Sequence, residues 1–366
     1  MRRRTNIKKI GILTGGGDCA GLNAVIRSIT KKGIFEYNMM VIGIIDGFSG
    51  LLNRNVKRLK VEDVSGILPL GGTILGTSNI ANPFRVPINN GDKLRFEDHS
   101  ERVIDYYKEL ELDVLFCIGG DGTLTIAHQL GKMGMDIIGI PKTIDNDIFG
   151  TDITFGFNSA VEIITKATDA LHSTAMSHHR VMILEVMGRN AGWLALYGGL
   201  AGGGDIILIP EIPYNIDKVC EKVRQRNLHG KRFSVIVISE GARPIGGEKV
   251  IKRIVKESTE QVRYGGIGIN IGDDIERCTG LETRVTILGH LQRSGAPTGF
   301  DRILGTGFGT AALDLALQGE FGKMVALKGE AISSIPLEEV AGRQRLIPID
   351  SPVLRSARSV GTSFGD

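Results

Sequence analysis

A chain of 366 residues is long enough for two domains with hydrophobic cores of their own, which excludes a disordered chain and a stapled mini-protein. With 44 basic against 41 acidic side chains and a net charge of +3, it lacks the basic footprint of a nucleic-acid or membrane-surface binder, so small molecules are the expected partners. Fifty glycines, about 14% of the chain where ~7% is usual and without a G-X-Y period, mark tight turns at which backbone approaches something closely.

In chain order, β-branched apolar runs predict strands at Lys9–Leu13, Met40–Ile45, Val114–Ile118, Ile137–Ile140, Val181–Val186, Ile206–Ile209 and Ser234–Ser239. Most are apolar on consecutive positions, as expected of strands covered on both faces. Helical patterns fall between them, at Leu22–Lys32, Glu101–Leu110, Leu124–Lys132, Ser159–His172, Asn215–Asn227, Val250–Tyr264 and Gly305–Gln318. This alternation predicts an α/β protein of two three-layer α/β domains with mainly parallel sheets. A hinge is expected after Gly150, where Gly-Thr-Asp and Phe-Gly-Phe-Asn interrupt the pattern.

The four cysteines, at 19, 117, 220 and 278, show no C-x-x-C spacing. Reduced thiols in a cytoplasmic protein are expected, rather than a zinc site or a disulfide framework. The basic start Arg2–Arg4 precedes only the short apolar run Ile10–Leu13, too little for a signal peptide, and no run of about 18 apolar residues is present to cross a membrane.

In open α/β sheets ligands bind beyond the carboxyl ends of the strands, and the residues there are rich in chemistry. The first strand ends in Thr14-Gly15-Gly16-Gly17-Asp18 before a helix, so consecutive N–H groups can face an anion; the spacing fits neither G-x-G-x-x-G nor the P-loop. Ile118-Gly119-Gly120-Asp121-Gly122-Thr123 repeats the arrangement, and a lone carboxylate at a strand tip suits Mg²⁺ held together with phosphate oxygens. An ordinary strand–turn–helix corner has the same local sequence, and several small-molecule and lipid kinases share G-G-D-G-T. In Pro141–Asp147, Asp145 and Asp147 can divide the work of accepting a hydroxyl proton and orienting a reactant or metal. Arg180, Arg189, Arg284, His290 and Arg293 flank strand or loop ends in the second half, and arginine is the preferred fork for phosphate dianions.

Taken together, G-I-L-T-G-G-G-D at 11–18, G-G-T-I-L-G-T-S at 71–78, G-G-D-G-T at 119–123, P-K-T-I-D-N-D at 141–147, V-M-G-R-N-A-G at 186–192, I-S-E-G-A at 238–242 and L-G-H-L-Q-R-S-G at 288–295 resemble the 6-phosphofructokinase family, in its motif order and across nearly the whole chain. The resemblance implies phosphorylation of fructose 6-phosphate in a cleft between the two domains. Residues 1–150, completed by part of 292–345, would bind the donor; residues 151–291, completed by 346–366, would bind the sugar phosphate. Asp145 is implied as the base toward the 1-hydroxyl, with Thr143 and Asp147 beside it, and Asp121 as the magnesium carboxylate. Gly17, Gly120, Gly122, Thr123 and Lys142 are implied near the phosphoryl donor, and Arg189 on the transferring group. Met187, Gly188, Glu240 and Arg293 match sugar-binding positions, and His290, Arg180 and Arg284 the 6-phosphate site. In the family the last two come from a neighbouring subunit, so a homotetramer or homodimer with shared sites is implied.

Family members use either ATP or pyrophosphate, so the resemblance implies one of these as donor. Gly122 favours ATP, because pyrophosphate-dependent members usually carry Asp there, whereas Lys142 resembles the pyrophosphate enzymes and a mixed group. Asn79 stands where the well-known bacterial ATP enzymes have arginine, with Arg85 close in sequence, and their effector-site arginines are matched only in part, by Arg27 and Lys31. Two rivals are a non-catalytic, nucleotide-sensing relative, which has no need of an acidic pair at 145 and 147, and a lipid or dinucleotide kinase, which has no need of the arginine and histidine set.

Overall fold

The computed structural model describes residues 6–90, 93–255 and 262–366. From the N-terminus, β1 (Lys9–Thr14), α1 (Leu22–Tyr37), β2 (Met40–Ile44), α2 (Phe48–Leu52) and β3 (Val56–Leu59) lead to a hairpin of β4 (Val86–Asn90) and β5 (Lys93–Glu97). Next come α3 (Ser100–Glu109), β6 (Val114–Gly119), α4 (Asp121–Lys132), β7 (Ile137–Thr143) and the short β8 (Phe155–Gly156), which opens α5 (Phe157–His178). A second run follows: β9 (Val181–Val186), α6 (Trp193–Ala201), β10 (Ile206–Leu208), α7 (Ile216–Leu228), β11 (Ser234–Ser239), β12 (Ile251–Ile254), β13 (Val262–Tyr264), α8 (Ile267–Thr279) and β14 (Thr283–Ile287). The chain ends with a 3₁₀ turn at Gly289–Arg293, α9 (Gly299–Leu317), β15 (Lys323–Lys328), β16 (Ala331–Pro336), α10 (Leu337–Val340) and α11 (Pro352–Ser359).

One sheet runs β16-β15-β7-β6-β1-β2-β3, with β8 beside β7. Its inner strands are parallel and its two edge strands, β3 and β16, antiparallel. The other is wholly parallel in the order β10-β11-β9-β14. Every residue of β6, β9 and β11 is buried, as consecutive apolar positions require when helices cover both faces. One charge lies inside β9: the Glu185 carboxylate accepts the backbone N–H groups of Gly266 and Gly268 at 2.8 Å each, at the start of α8, where the helix dipole favours an anion.

The two runs are stitched together after β14. Helix α9 returns to pack along α1, and Gly309 permits the approach, since a Cβ there would collide with Ser28 Oγ. Asp301, fully buried in the first turn of α9, accepts the Ser159 N–H at 2.8 Å and the Ser159 hydroxyl at 2.6 Å, tying α9 to α5. Strands β15 and β16 then extend the first sheet, while Ser363 bridges to Ile206 of β10 at the edge of the second. No helix among the described residues is long and apolar enough to cross a membrane.

Two expectations change. Residues 250–264, expected as a helix, form an antiparallel hairpin of β12 and β13, with 256–261 outside the described residues; the β-branched Val250, Ile251, Ile254 and Val262 pack better on a pleated surface than in a helix. Cys220 and Cys278, expected as reduced thiols, are paired as a disulfide with Cα atoms 6.3 Å apart. They lie on α7 and α8, neighbours on one face of the second sheet, a proximity that a separation of 58 residues conceals. Cys19 and Cys117 are free and buried. Helices α6 and α8 and strands β14 to β16 had no predicted counterpart. The basic stretch Arg2–Arg4 lies outside the described residues.

Candidate active site

Strand β1 ends in a loop locked by backbone: Gly15 N–H donates to the Ile118 carbonyl at 2.9 Å and Gly16 N–H to the Ser78 carbonyl at 3.1 Å, beside Asn79. The Thr14 hydroxyl reaches the Gly76 carbonyl at 2.6 Å and that of Thr77 the Gly16 carbonyl at 2.5 Å, so the motifs at 14–18 and 71–78 form one platform. Arg85 is exposed beyond it, its guanidinium 4.0 Å from the Phe96 ring centroid.

Beside this platform, α4 begins at Asp121 with Gly120 as its cap, so Asp121, Gly122 and Thr123 form its first turn. Thr123 is buried beneath the turn, whereas a Cβ on Gly122 would meet nothing within 4 Å. The Asp121 carboxylate accepts the N–H of Gly342 at 3.1 Å.

Strand β7 runs further than expected and takes in Lys142 and Thr143. Lys142 is 3% exposed and donates to the Gly17 carbonyl. Burial pulls its pKa below 10.5, assisted by Arg293 and opposed by the negative charge of Asp18 and Asp145. Beyond β7, burial alternates: Ile144, Asn146 and Ile148 point inward, and Thr143, Asp145 and Asp147 keep access to solvent. Asn146 makes this possible at φ 54°, a left-handed conformation that Asn tolerates, with its side-chain oxygen accepting the Thr154 N–H at 3.0 Å. The Asp145 N–H donates to the Thr143 hydroxyl at 3.0 Å.

The second sheet faces this loop with its carboxyl ends. Gly188, at φ 130°, lets the chain turn immediately after β9 while its carbonyl accepts the Ser239 hydroxyl. Met187 N–H donates to the Gln292 side chain at 3.2 Å. Arg189 reaches the Val262 carbonyl at 3.0 Å and lies over the Tyr264 ring. Glu240 caps β11, its N–H on the Val186 carbonyl at 2.8 Å. Its pKa is pushed up to about 8 by burial first, then by the negative charge of Asp145 and of Glu185, against the pull of Arg293 and Arg189. Arg293, at the end of the 3₁₀ turn that contains His290, donates to the Asp18 carbonyl at 3.0 Å. Asp145, Arg189 and Arg293 therefore lie within electrostatic reach of Glu240, and Arg293 ties that group to the glycine loop after β1.

Arg180 and Arg284 do not join them. They stand at the amino ends of β9 and β14, both gripping Glu282, which lies 2.5 Å from Arg180 and is held below the usual carboxylate range by these two partners. A strand advances about 3.3 Å per residue, which places Arg180 roughly 20 Å from Met187 at the other end of β9. Residues with no motif to reveal them also border the site: Gly342, Gln344 and Arg345 of the C-terminal part, and Lys249, whose ammonium contacts the Arg189 carbonyl and Asn190 side chain at 2.8 Å each.

The family whose signature matches residues 9–316 is described as phosphofructokinase. The chain belongs to the phosphofructokinase family. It is 50% identical over 366 residues to ATP-dependent 6-phosphofructokinase 2 of Clostridium perfringens, covering 98% of this chain and 99% of that one. The ATP-dependent 6-phosphofructokinase of Spirochaeta thermophila is 48% identical over 364 residues, covering 100% and 99%. Among solved structures, Pichia pastoris phosphofructokinase in the T-state matches with a TM-score of 0.78 and 32% identity over 91% of this chain, which spans 35% of that longer one.

Proposed function

We propose that the chain phosphorylates fructose 6-phosphate at its 1-hydroxyl with ATP, giving fructose 1,6-bisphosphate, as a committed cytoplasmic step of glycolysis. The observation that carries this reading is that Asp145, Arg189 and Arg293, from two sheets, lie within electrostatic reach of Glu240, with Arg293 bound to the glycine loop after β1. Phosphoryl transfer asks for in-line positioning, cations around the transferring group and a base for the hydroxyl. Asp145 takes the hydroxyl proton, with Thr143 and Asp147 holding its loop, and Arg189 stabilises charge on the group in flight. Met187, Gly188, Glu240 and Arg293 hold the sugar, and His290 the 6-phosphate. Gly17, Gly120, Thr123 and Lys142 line the donor.

Asp121 fits a magnesium ion. Among the described residues no group of three or more His, Cys, Asp or Glu could cage a metal, and magnesium binds through one or two carboxylates, phosphate oxygens and water. Bound there, it would neutralise negative charge on the donor phosphates. Arg180 and Arg284, too far from their own chain's sugar site, serve the 6-phosphate of a neighbouring copy in a homodimer or homotetramer.

Pyrophosphate is the alternative donor, favoured by the buried Lys142; the open space at Gly122 favours the bulkier nucleotide. The test is turnover of fructose 6-phosphate with magnesium and either ATP or pyrophosphate. Faster turnover with pyrophosphate overturns the donor assignment, and none with either overturns the reading.

A further inference from the structure

The C-terminal part begins on one sheet and ends on the other. Helix α10 packs against α4 through Leu337 and Val340, in the core that also holds Leu124 and Ile137, whereas beyond α11, whose Leu354 and Ala357 are buried, Ser363 bridges to Ile206 of β10 in the second sheet. The segment 341–347 must therefore cross between them, and it crosses at the catalytic loops. Gly342 rests on Asp121; Gln344 pairs antiparallel with Ile148; the Arg345 N–H donates to the Asp147 carbonyl at 2.8 Å, and its guanidinium to the Asn146 carbonyl at 3.2 Å. Trp193 closes the crossing, its indole N–H on the Arg345 carbonyl at 3.0 Å.

Within this crossing, four side chains form a hydrogen-bonded relay of fixed polarity. The Lys249 ammonium, which can only donate, reaches Asn190 Oδ1 at 2.8 Å. The Asn190 amide N–H then donates to Gln344 Oε1 at 3.1 Å, and the Gln344 amide N–H to Asp147 Oδ2 at 3.5 Å. An ammonium at one end and a carboxylate, which can only accept, at the other dictate the direction of every bond between them. Asn190 follows Arg189 directly in the chain, and Asp147 stands two residues from Asp145.

We infer that Gln344 is a positioning residue for phosphoryl transfer: through this relay it holds the Asp145 loop of one sheet at a set separation from the Arg189 loop of the other. The inference rests on the reading of Asp145 and Arg189 given above. Only a side chain that accepts at one end and donates at the other completes the relay. Glutamate, its isostere, cannot donate when ionised and would set a second negative charge against Asp147.

The test uses the full chain with Gln344→Ala, Gln344→Glu, Asn190→Ala and the Gln344→Ala/Asn190→Ala double variant. Gln344 is exposed, so thermal midpoints should stay close to wild type. Misplacing reacting groups by about 1 Å costs on the order of a hundredfold, so Gln344→Ala is expected to lower kcat by about ten- to a hundredfold while the KM for ATP moves less than about threefold. In Gln344→Glu the acid limb of the kcat–pH profile should move to higher pH, because the new carboxylate lies beside Asp147, while the fall in kcat without a matching change in KM is the response a merely structural role would not give. The double variant should be no slower than the worse single one, because both break the same relay. A kcat for Gln344→Ala within about twofold of wild type, an unmoved pH profile in Gln344→Glu, or losses that multiply in the double variant would each overturn the inference. Asp145→Ser, assayed in parallel, separates the two levels: if it stays active the site reading fails, and if it is inactive while Gln344→Ala is normal only the relay fails.

Discussion

The two sheets build their halves of the site from different material. Beyond β1 and β6 the loops are mostly glycine, threonine and backbone, with Asp18 and Asp121 their acidic side chains, and are cross-braced by hydrogen bonds such as Gly15 to Ile118 and Gly16 to Ser78. Beyond β9, β11 and β14 they carry Arg189, Glu240, His290 and Arg293. A surface made of backbone N–H groups keeps its donors through any substitution but proline; otherwise it can only be obstructed by an added side chain. A surface made of charged side chains can be dismantled one residue at a time, and it titrates. Asp145 stands where the two meet, on the first sheet but within the electrostatic reach of Glu240 on the second.

The largest effect should therefore come from that junction. Asp145→Ser removes the hydroxyl base and should lower kcat by about 10²–10⁴-fold, with the affinity for fructose 6-phosphate, measured by equilibrium binding, nearly unchanged. A variant retaining more than about a tenth of wild-type kcat would remove Asp145 from the role. Next in size is obstruction of the backbone-built half. Gly122→Asp puts a carboxylate into open space; two negative groups about 4 Å apart at an effective dielectric near 20 repel by about 4 kcal/mol at most, enough to cost hundreds-fold in kcat/KM for ATP. Because Lys142 remains to hold a short donor, pyrophosphate turnover should fall far less. Equal losses with the two donors would show that the substitution damages something other than the nucleotide's place.

This contrast also explains what could be read from the sequence. The glycine loops were legible because a backbone site needs consecutive glycines at a strand end, a local pattern. Strands β9 and β11 were placed to the residue, since a fully buried strand reads as an unbroken apolar run. The hairpin at β12 and β13 was misread because Val250–Tyr264 mixes charges and β-branched residues at a spacing that also suits a helix. That Arg180 lies at the opposite end of β9 from Arg189 followed from strand direction, since one precedes and the other follows the run Val181–Val186. The crossing at 341–347 left no signal: Gly342, Gln344 and Arg345 act partly through backbone or a single amide, and only the fold brings them, some 200 residues on, to Asp121 and Asp147.

On the side-chain-built half, Arg284→Ala tests whether the far end of the second sheet belongs to another copy's site. A hydrogen bond to a charged group contributes about 1.5–3 kcal/mol, so the KM for fructose 6-phosphate should rise roughly 10- to 150-fold, with the KM for ATP much less affected. Stability should barely change, because the ion pair it breaks with Glu282 is exposed. Mixed oligomers of Asp145→Ser and Arg284→Ala chains should recover activity, since some sites then carry neither defect. Demonstrably mixed oligomers that recover nothing would place the whole site within one chain.

The smallest expected effect is a titration on the charged half. Glu240 has a pKa near 8 in the folded chain against an ordinary 4.5. Between those values the folded protein holds a proton that the unfolded chain has released, so the contribution of Glu240 to stability falls as pH rises through that window and levels off above about 8. Glu240→Gln cannot titrate. Its stability relative to wild type, followed by denaturant unfolding, should therefore climb from pH 5 to pH 8 by on the order of 1–3 kcal/mol, a range that allows for partial solvent exposure. The causes can be separated in the same experiment. Asp145→Asn removes a negative neighbour and should move the midpoint of the climb down, whereas Arg293→Ala removes a positive one and should move it up. A difference between Glu240→Gln and wild type that stays flat from pH 5 to pH 9 would mean that Glu240 is ionised throughout, and that the acid at the end of β11 meets the sugar as a carboxylate rather than as a neutral hydrogen-bond donor.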